Sequence, residues 1–140
     1  MANDIIRAEG APAPVGAYPH ARRVGQLLFL SGIGPREPAT NAIPGNVMDA
    51  EGNLLSYDIE AQCRQMFANV RTVLEASGAR FEDLVDVTVY LTDMAHDFAT
   101  YNRLYAEAFK GVDACRTTVE VNALPTPIAI ELKCVAAFAS

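Results

Sequence analysis

The sequence predicts an α+β fold in which two helices pack on one face of a mixed β-sheet. Two observations carry this. Apolar and polar residues alternate at every second position over 84–91, 115–121 and 128–135, the signature of strands. Apolar residues recur at helical spacing in Ile59, Cys63, Met66, Phe67, Val70, Val73 and Leu74, and again in Phe98, Tyr101, Leu104, Tyr105 and Ala108. The chain has 140 residues, the usual length of one domain, so residues 1–140 are read as a single domain.

In chain order, short β-type segments fall at Asp4–Arg7 and Gln26–Ser31. The proline- and glycine-rich run between them, from Gly10 to Pro19, cannot be helical, because proline restricts both itself and the residue before it. Within it Tyr18 is positioned to offer its hydroxyl to a ligand, or to pack with a wet tip. Ser31-Gly32-Ile33-Gly34-Pro35 closes the second strand with two glycines, which permit close backbone approach or a positive φ. Residues 36–56 are polar and rich in Pro, Gly and Asn, and a loop of this length is expected to act as a lid or insertion. Asp58 and Glu60 then suit the positive start of the first helix, and Gly78 ends it. In the strand 84–91, Val85, Val87 and Val89 are expected on one face and Asp86, Thr88 and Tyr90 on the other. The second helix ends by Gly111. The order reads β-β-(lid)-α-β-α-β-β.

The last two strands hold the chemistry. Arg116, Thr118 and Glu120 share one face of the first, and Glu131 sits among aliphatic neighbours in the second. A guanidinium matches a carboxylate as a two-pronged fork, and a desolvated glutamate has its pKa raised toward proton-transfer range. Together they point to acid–base chemistry on a carboxylate-bearing substrate. The plainer alternatives are a surface arginine at a strand end and a Glu131–Lys133 pair along one strand face.

Two helices cover only one face of such a sheet, while residues of the Val85/Val87 and Ala129/Val135 kind remain for the other. A second copy of the chain is expected to bury that face, with a ligand site at the seam. The net charge of −6 and the absence of a Lys/Arg cluster disfavour nucleic acid. No apolar run reaches the ~20 residues of a membrane span, and Met1-Ala2-Asn3-Asp4 lacks a basic leader, so a cytoplasmic location is expected and no membrane partner. His20 and His96 have no companion ligands at metal spacing, and Cys63, Cys115 and Cys134 are an odd set, so neither a metal nor a disulfide is expected.

Val15-Gly16-Ala17-Tyr18, Leu30-Ser31-Gly32-Ile33-Gly34-Pro35, Leu84 to Met94, Tyr101-Asn102-Arg103-Leu104-Tyr105 and Cys115 to Val121 resemble the RidA/YjgF family of enamine/imine deaminases. The resemblance spans nearly the whole chain and implies a chorismate-mutase-like homotrimer with clefts between subunits and no cofactor. It implies Arg116 as the carboxylate clamp, Glu131 as the acid that positions the hydrolytic water, and Tyr18, Ser31, Gly32 and Asn102 as cleft-lining positions. Many members carry glutamine and cysteine where this chain has Ile33 and Thr118, which leaves hydrolysis without a protein nucleophile as the simpler mechanism. Backbone donors near Ser31-Gly32 or Thr118 would steady developing charge. The 36–56 segment and Leu124 to Cys134 resemble the branch of 2-aminomuconate deaminases of aromatic-amine degradation, which form 4-oxalocrotonate and ammonia. A dicarboxylate needs a second donor, for which Arg36 and His20 stand in suitable positions. A broad 2-imino-acid deaminase and a non-catalytic, chaperone-like binder of small carboxylates are the rival readings.

Overall fold

Strands β1 (Ile5–Ile6), β2 (Ala21–Val24), β3 (Leu27–Leu30), β6 (Leu84–Leu91), β7 (Cys115–Glu120) and β8 (Ile130–Ala137) form one six-stranded sheet in the order β1-β2-β3-β8-β6-β7. The structure, a computed structural model, describes residues 4–139, so the reading of the extreme N-terminus lies partly outside it. Only the β6–β7 pairing is parallel; every other neighbour in the sheet runs antiparallel. Helices α1 (Ile59–Ala76) and α2 (Met94–Ala108) pack against each other and against β8 and β6 on one face. The expected α+β architecture is therefore observed.

Local chemistry starts and stops each helix. The Asp58 carboxylate accepts the Ala61 N–H at 3.1 Å and Asp93 accepts that of His96 at 3.0 Å, each satisfying an amide that the first turn leaves unbonded. Beyond the ends, Gly78 and Gly111 take positive φ values that a side chain resists. The helical stripes meet the even-numbered residues of β8, so Cys63, Met66, Val70 and Leu74 share a core with Leu28, Leu30, Val87, Val89, Leu132, Cys134 and Ala136. Both buried thiols, Cys63 and Cys134, are pushed up to about 12 by burial, and all three cysteines are free.

Three features differ from the sequence expectation. Strand β2 lies in a stretch where the sequence pattern predicts no element, because its alternation is carried by Ala21, Arg22, Arg23 and Val24 rather than by large apolar residues. The 36–56 segment is an ordered excursion containing its own hairpin, β4 (Val47–Met48) with β5 (Leu54–Ser56). A register shift between Leu84 and Asp86 turns Val85 outward, so Leu84, not Val85, joins Val87 and Val89 in the core. Ala129 is likewise buried.

The sheet face away from the helices carries Val24, Leu27 and Phe29 at 44%, 42% and 39% exposure, beside Val119 and Val135. On the helical side, Asp97 is fully buried at the start of α2, accepting the Tyr57 hydroxyl at 2.7 Å and lying 2.5 Å from the His96 ring nitrogen. This ties the end of the hairpin to α2. Tyr57→Phe strands a buried carboxyl oxygen and is expected to cost about 2 kcal/mol in a denaturant melt; an unchanged midpoint would show the link to be energetically idle.

Candidate active site

Arg116 leaves β7 on the helical side of the sheet. Its guanidinium donates to the Asn102 side-chain oxygen at 2.8 Å and lies over the rings of Tyr105 (4.8 Å) and Tyr101 (5.3 Å). Tyr101, itself buried, shares a 2.7 Å hydrogen bond with the Thr118 hydroxyl, so Arg116 and Thr118 rest on the same tyrosine. Among the described residues the buried Tyr105 hydroxyl has no hydrogen-bond partner, and burial pushes its pKa up to about 12. Among the described residues no carboxylate pairs with Arg116, which keeps its outer edge exposed.

Glu131 points to the opposite face of the sheet. It lines a cleft of about 140 Å³ together with Val15, Tyr18, Gly32, Arg36 and Pro125. Burial raises its pKa above the ordinary carboxylate value, and no cation forms an ion pair with it among the described residues. Lys133, two positions along, donates instead to the Leu30 carbonyl, so the pairing considered from sequence does not form. Gly32 leaves room for the carboxyl where it stands: a Cβ at that position would come within 2.6 Å of the Glu131 Oε2 and push the side chain aside. Among the described residues the Gly32 amide has no hydrogen-bonded partner.

The cleft's other residues are held firmly. Arg36 donates to the Ala13 carbonyl at 2.6 Å and to the Asn41 side chain at 2.9 Å, and the carbonyl oxygens of Gly34 and Arg36 both accept from buried Asn69. The Tyr18 hydroxyl accepts the Val15 N–H at 3.2 Å. Ser31 is less available than expected, since its hydroxyl donates to Pro19 and its amide to the His20 carbonyl. His20 corrects the expectation more fully. One ring nitrogen accepts the Ala8 N–H at 2.9 Å and the other donates to the Pro12 carbonyl at 2.8 Å. With both nitrogens engaged, His20 clasps the proline-rich loop and has nothing left for a second carboxylate.

The structure thus gathers the expected residues into two groups. Arg116 lies level with Val87 and Cys134, whereas Glu131 lies level with Tyr90 and Val119. The separation is two strands and three residues, roughly 14 Å from strand spacing and rise, and on opposite faces. Within one chain the two cannot touch one small molecule. Sequence reasoning missed the tyrosine cradle because Tyr101 and Tyr105 fit the apolar stripe of α2; their spacing of four around Asn102 was the available signal. No cluster of His, Cys, Asp or Glu suited to a metal occurs among the described residues, and no described helix is long and apolar enough to cross a membrane.

The raised pKa of Glu131 has a consequence independent of any reaction. A carboxyl whose folded pKa exceeds its unfolded value stabilises the fold below the unfolded pKa, and that contribution is lost as pH rises through the folded one. Glu131→Gln is therefore expected to gain melting temperature relative to wild type between pH 4 and pH 7. A constant difference across that range would contradict the desolvated carboxyl.

Comparison with known proteins follows the same lines. Residues 8–138 match the family described as Endoribonuclease L-PSP. A RutC family protein of Pyrococcus horikoshii is 38% identical over 95% of this chain and 96% of its own length. The chloroplastic Reactive Intermediate Deaminase A of Arabidopsis thaliana is 35% identical over 95% of this chain and 65% of its own. The crystal structure of E. coli TdcF with bound serine superposes with a TM-score of 0.83 at 30% identity, over 97% of this chain and 99% of that one. The chain belongs to the Endoribonuclease L-PSP family, which is the RidA/YjgF family its sequence resembles.

Proposed function

We propose that the protein is a cofactor-independent hydrolytic deaminase acting on a 2-imino dicarboxylate of the 2-aminomuconate type, with its site assembled between subunits of a homotrimer. The observation that carries the reading is Glu131: a desolvated carboxyl without a cationic partner, opening into a cleft beside an unbonded backbone amide. Such a group, its pKa raised by burial, is suited to exchange protons with water. The exposed apolar sheet face supports assembly, and assembly is what the opposed positions of Arg116 and Glu131 require. One relative named as a deaminase, and one crystallised with serine, support small-carboxylate chemistry in this family.

In this reading Arg116 of one subunit grips the carboxylate next to the imine, its fork pre-aimed by Asn102 and the two tyrosines. Glu131 of a neighbouring subunit takes a proton from water as the oxygen bonds to C2. The electron pair of the C=N bond moves to nitrogen, which receives that proton from Glu131 to give the carbinolamine. The carboxylate then takes the hydroxyl proton and passes it to nitrogen as the C=O forms and the C–N bond breaks, releasing ammonia and a 2-oxo acid. The Gly32 amide is placed to donate to oxygen during this collapse. Arg36, in the Glu131 cleft, meets the distal carboxylate. The imine carbon is electrophilic already, and no step calls for a redox partner. A net charge of −6 argues against a polyanionic RNA substrate despite the family's name.

A second reading, a deaminase of short 2-imino acids, is favoured by the three-carbon ligand of the TdcF relative. Arg36 separates the two. Arg36→Ala is expected to lower kcat/KM on 2-aminomuconate about tenfold, a lost charged contact, while sparing the imine of 2-aminoacrylate; equal effects on both would favour the short-acid reading. Arg116→Ala is expected to lose about 100-fold in kcat/KM on either substrate in an ammonia-release assay. Near-normal turnover would remove the clamp, and sedimentation of a stable monomer at micromolar concentration would remove the shared site.

A further inference from the structure

Two segments, 36–56 and 124–134, are joined in the fold by a buried side chain the proposed mechanism does not use. Gln62, on the first turn of α1, is fully buried. Its Oε1 accepts the Ala129 N–H at 2.8 Å, and its Nε2 donates to the Asn46 side-chain oxygen at 3.0 Å. Asn46 in turn donates its Nδ2 to the Pro127 carbonyl at 2.8 Å. The approach to Asn46 is fixed as well. Gly45 has φ of 80°, and a Cβ there would sit 2.5 Å from the Asp58 Cβ at the helix cap.

What this network holds is a wall of the Glu131 cleft, since Pro125, Thr126 and Ile128 all line it. That wall cannot hold itself. Pro125 and Pro127 have no N–H to give a strand ladder, and β8 begins only at Ile130. Backbone support reaches only as far as Ala129, whose carbonyl accepts the Thr92 N–H at 3.1 Å, and the bonds from Gln62 and Asn46 add the side-chain support on that stretch. The same bonds anchor the start of the β4–β5 hairpin, so hairpin and wall are held as one piece.

We infer that Gln62 and Asn46 form a brace that fixes the Pro125–Ile128 wall of the Glu131 cleft and thereby selects long dicarboxylates over short acids. The inference rests on the proposed reading of this cleft as the place where the distal carboxylate lies. Both are positioning residues: they act through the wall and touch no substrate. Without the Asn46 bond to Pro127 the wall is free to move relative to Arg36, which blurs the reach between the two carboxylate contacts, while a three-carbon acid held by Arg116 does not extend to it.

Titration calorimetry on the full chain tests this with two unreactive ligands, trans,trans-muconate for the six-carbon dicarboxylate and pyruvate for the short acid. In Asn46→Ala, muconate is expected to bind about tenfold more weakly and pyruvate with wild-type affinity, with a melting temperature within a few degrees of wild type, since Asn46 lies in a partly exposed turn. Equal muconate affinity in the two proteins overturns the brace alone, and so does a matching loss for both acids, the result a merely structural role would give. Wild-type protein that binds pyruvate and not muconate overturns the dicarboxylate reading and the brace with it.

Discussion

The arrangement depends on one strand. β8 lies between β3 and β6, with neighbours on both edges and helices on one face, and its strict alternation sends Ile130, Leu132, Cys134 and Ala136 into the core. The intervening side chains have no choice of side. Glu131 and Lys133 must emerge on the opposite face, in the middle of a sheet, where water reaches them only partly. Lys133 solves its desolvation by donating to a backbone carbonyl. Glu131 finds no such partner, and its elevated pKa follows from the register rather than from any local design. A one-residue slip of β8 would place the carboxyl in the hydrocarbon core, so the packing that stabilises the fold is also what poises the acid.

The same sheet explains why the candidate site is divided. Arg116 lies on β7, at the sheet edge, and faces α2, where aromatic rings and an amide can support a guanidinium. Glu131 faces away from both helices. Two functional groups on opposite sides of one sheet meet only if the edge of one copy approaches the open face of another. That face is lined by Leu27, Phe29, Val119 and Val135, whose burial is the natural driving force for such an approach. In the proposed assembly, hydrophobic association and site assembly would be one event.

Much of this was legible in the sequence where periodicity is long. The runs over 84–91, 115–121 and 128–135 and the two helical stripes gave the element types and the fold, because each has enough turns or repeats for one face to declare itself. The hairpin was not legible, since Val47–Met48 and Leu54–Ser56 are too short to show a period. Strand β2 was hidden because arginine occupies two of its four positions. The outward turn of Val85 depends on a bulge, which leaves no mark in composition. At the site, Arg116 and Glu131 could be picked out by residue type and position, but the engagement of His20 could not: its two partners are backbone groups, and a backbone donor looks the same at every residue.

Charge at the candidate site is handled differently from that at three surface arginines, although Arg23, held by the Gly25 carbonyl, Gln26 and the Phe138 ring, shares the site's pattern. Arg64, Arg80 and Arg103 are each neutralised within the chain, by Glu60, by Asp83, and by Glu60 with Glu107. Arg116 and Arg36 are held as firmly, yet only by neutral acceptors: the amide of Asn102 and two tyrosine faces for one, the amide of Asn41 and the Ala13 carbonyl for the other. A carboxylate in those places would orient the guanidinium equally well and cancel the charge a ligand needs. An amide oxygen orients it and leaves the charge intact, so the ordering entropy of the long side chain is met before an acid arrives, while its attraction for that acid is kept. Glu131 mirrors this from the acidic side, desolvated and without a cation. Two oriented arginines and one carboxyl, none with an opposite charge paired to it among the described residues, are consistent with the proposed anionic, proton-exchanging substrate.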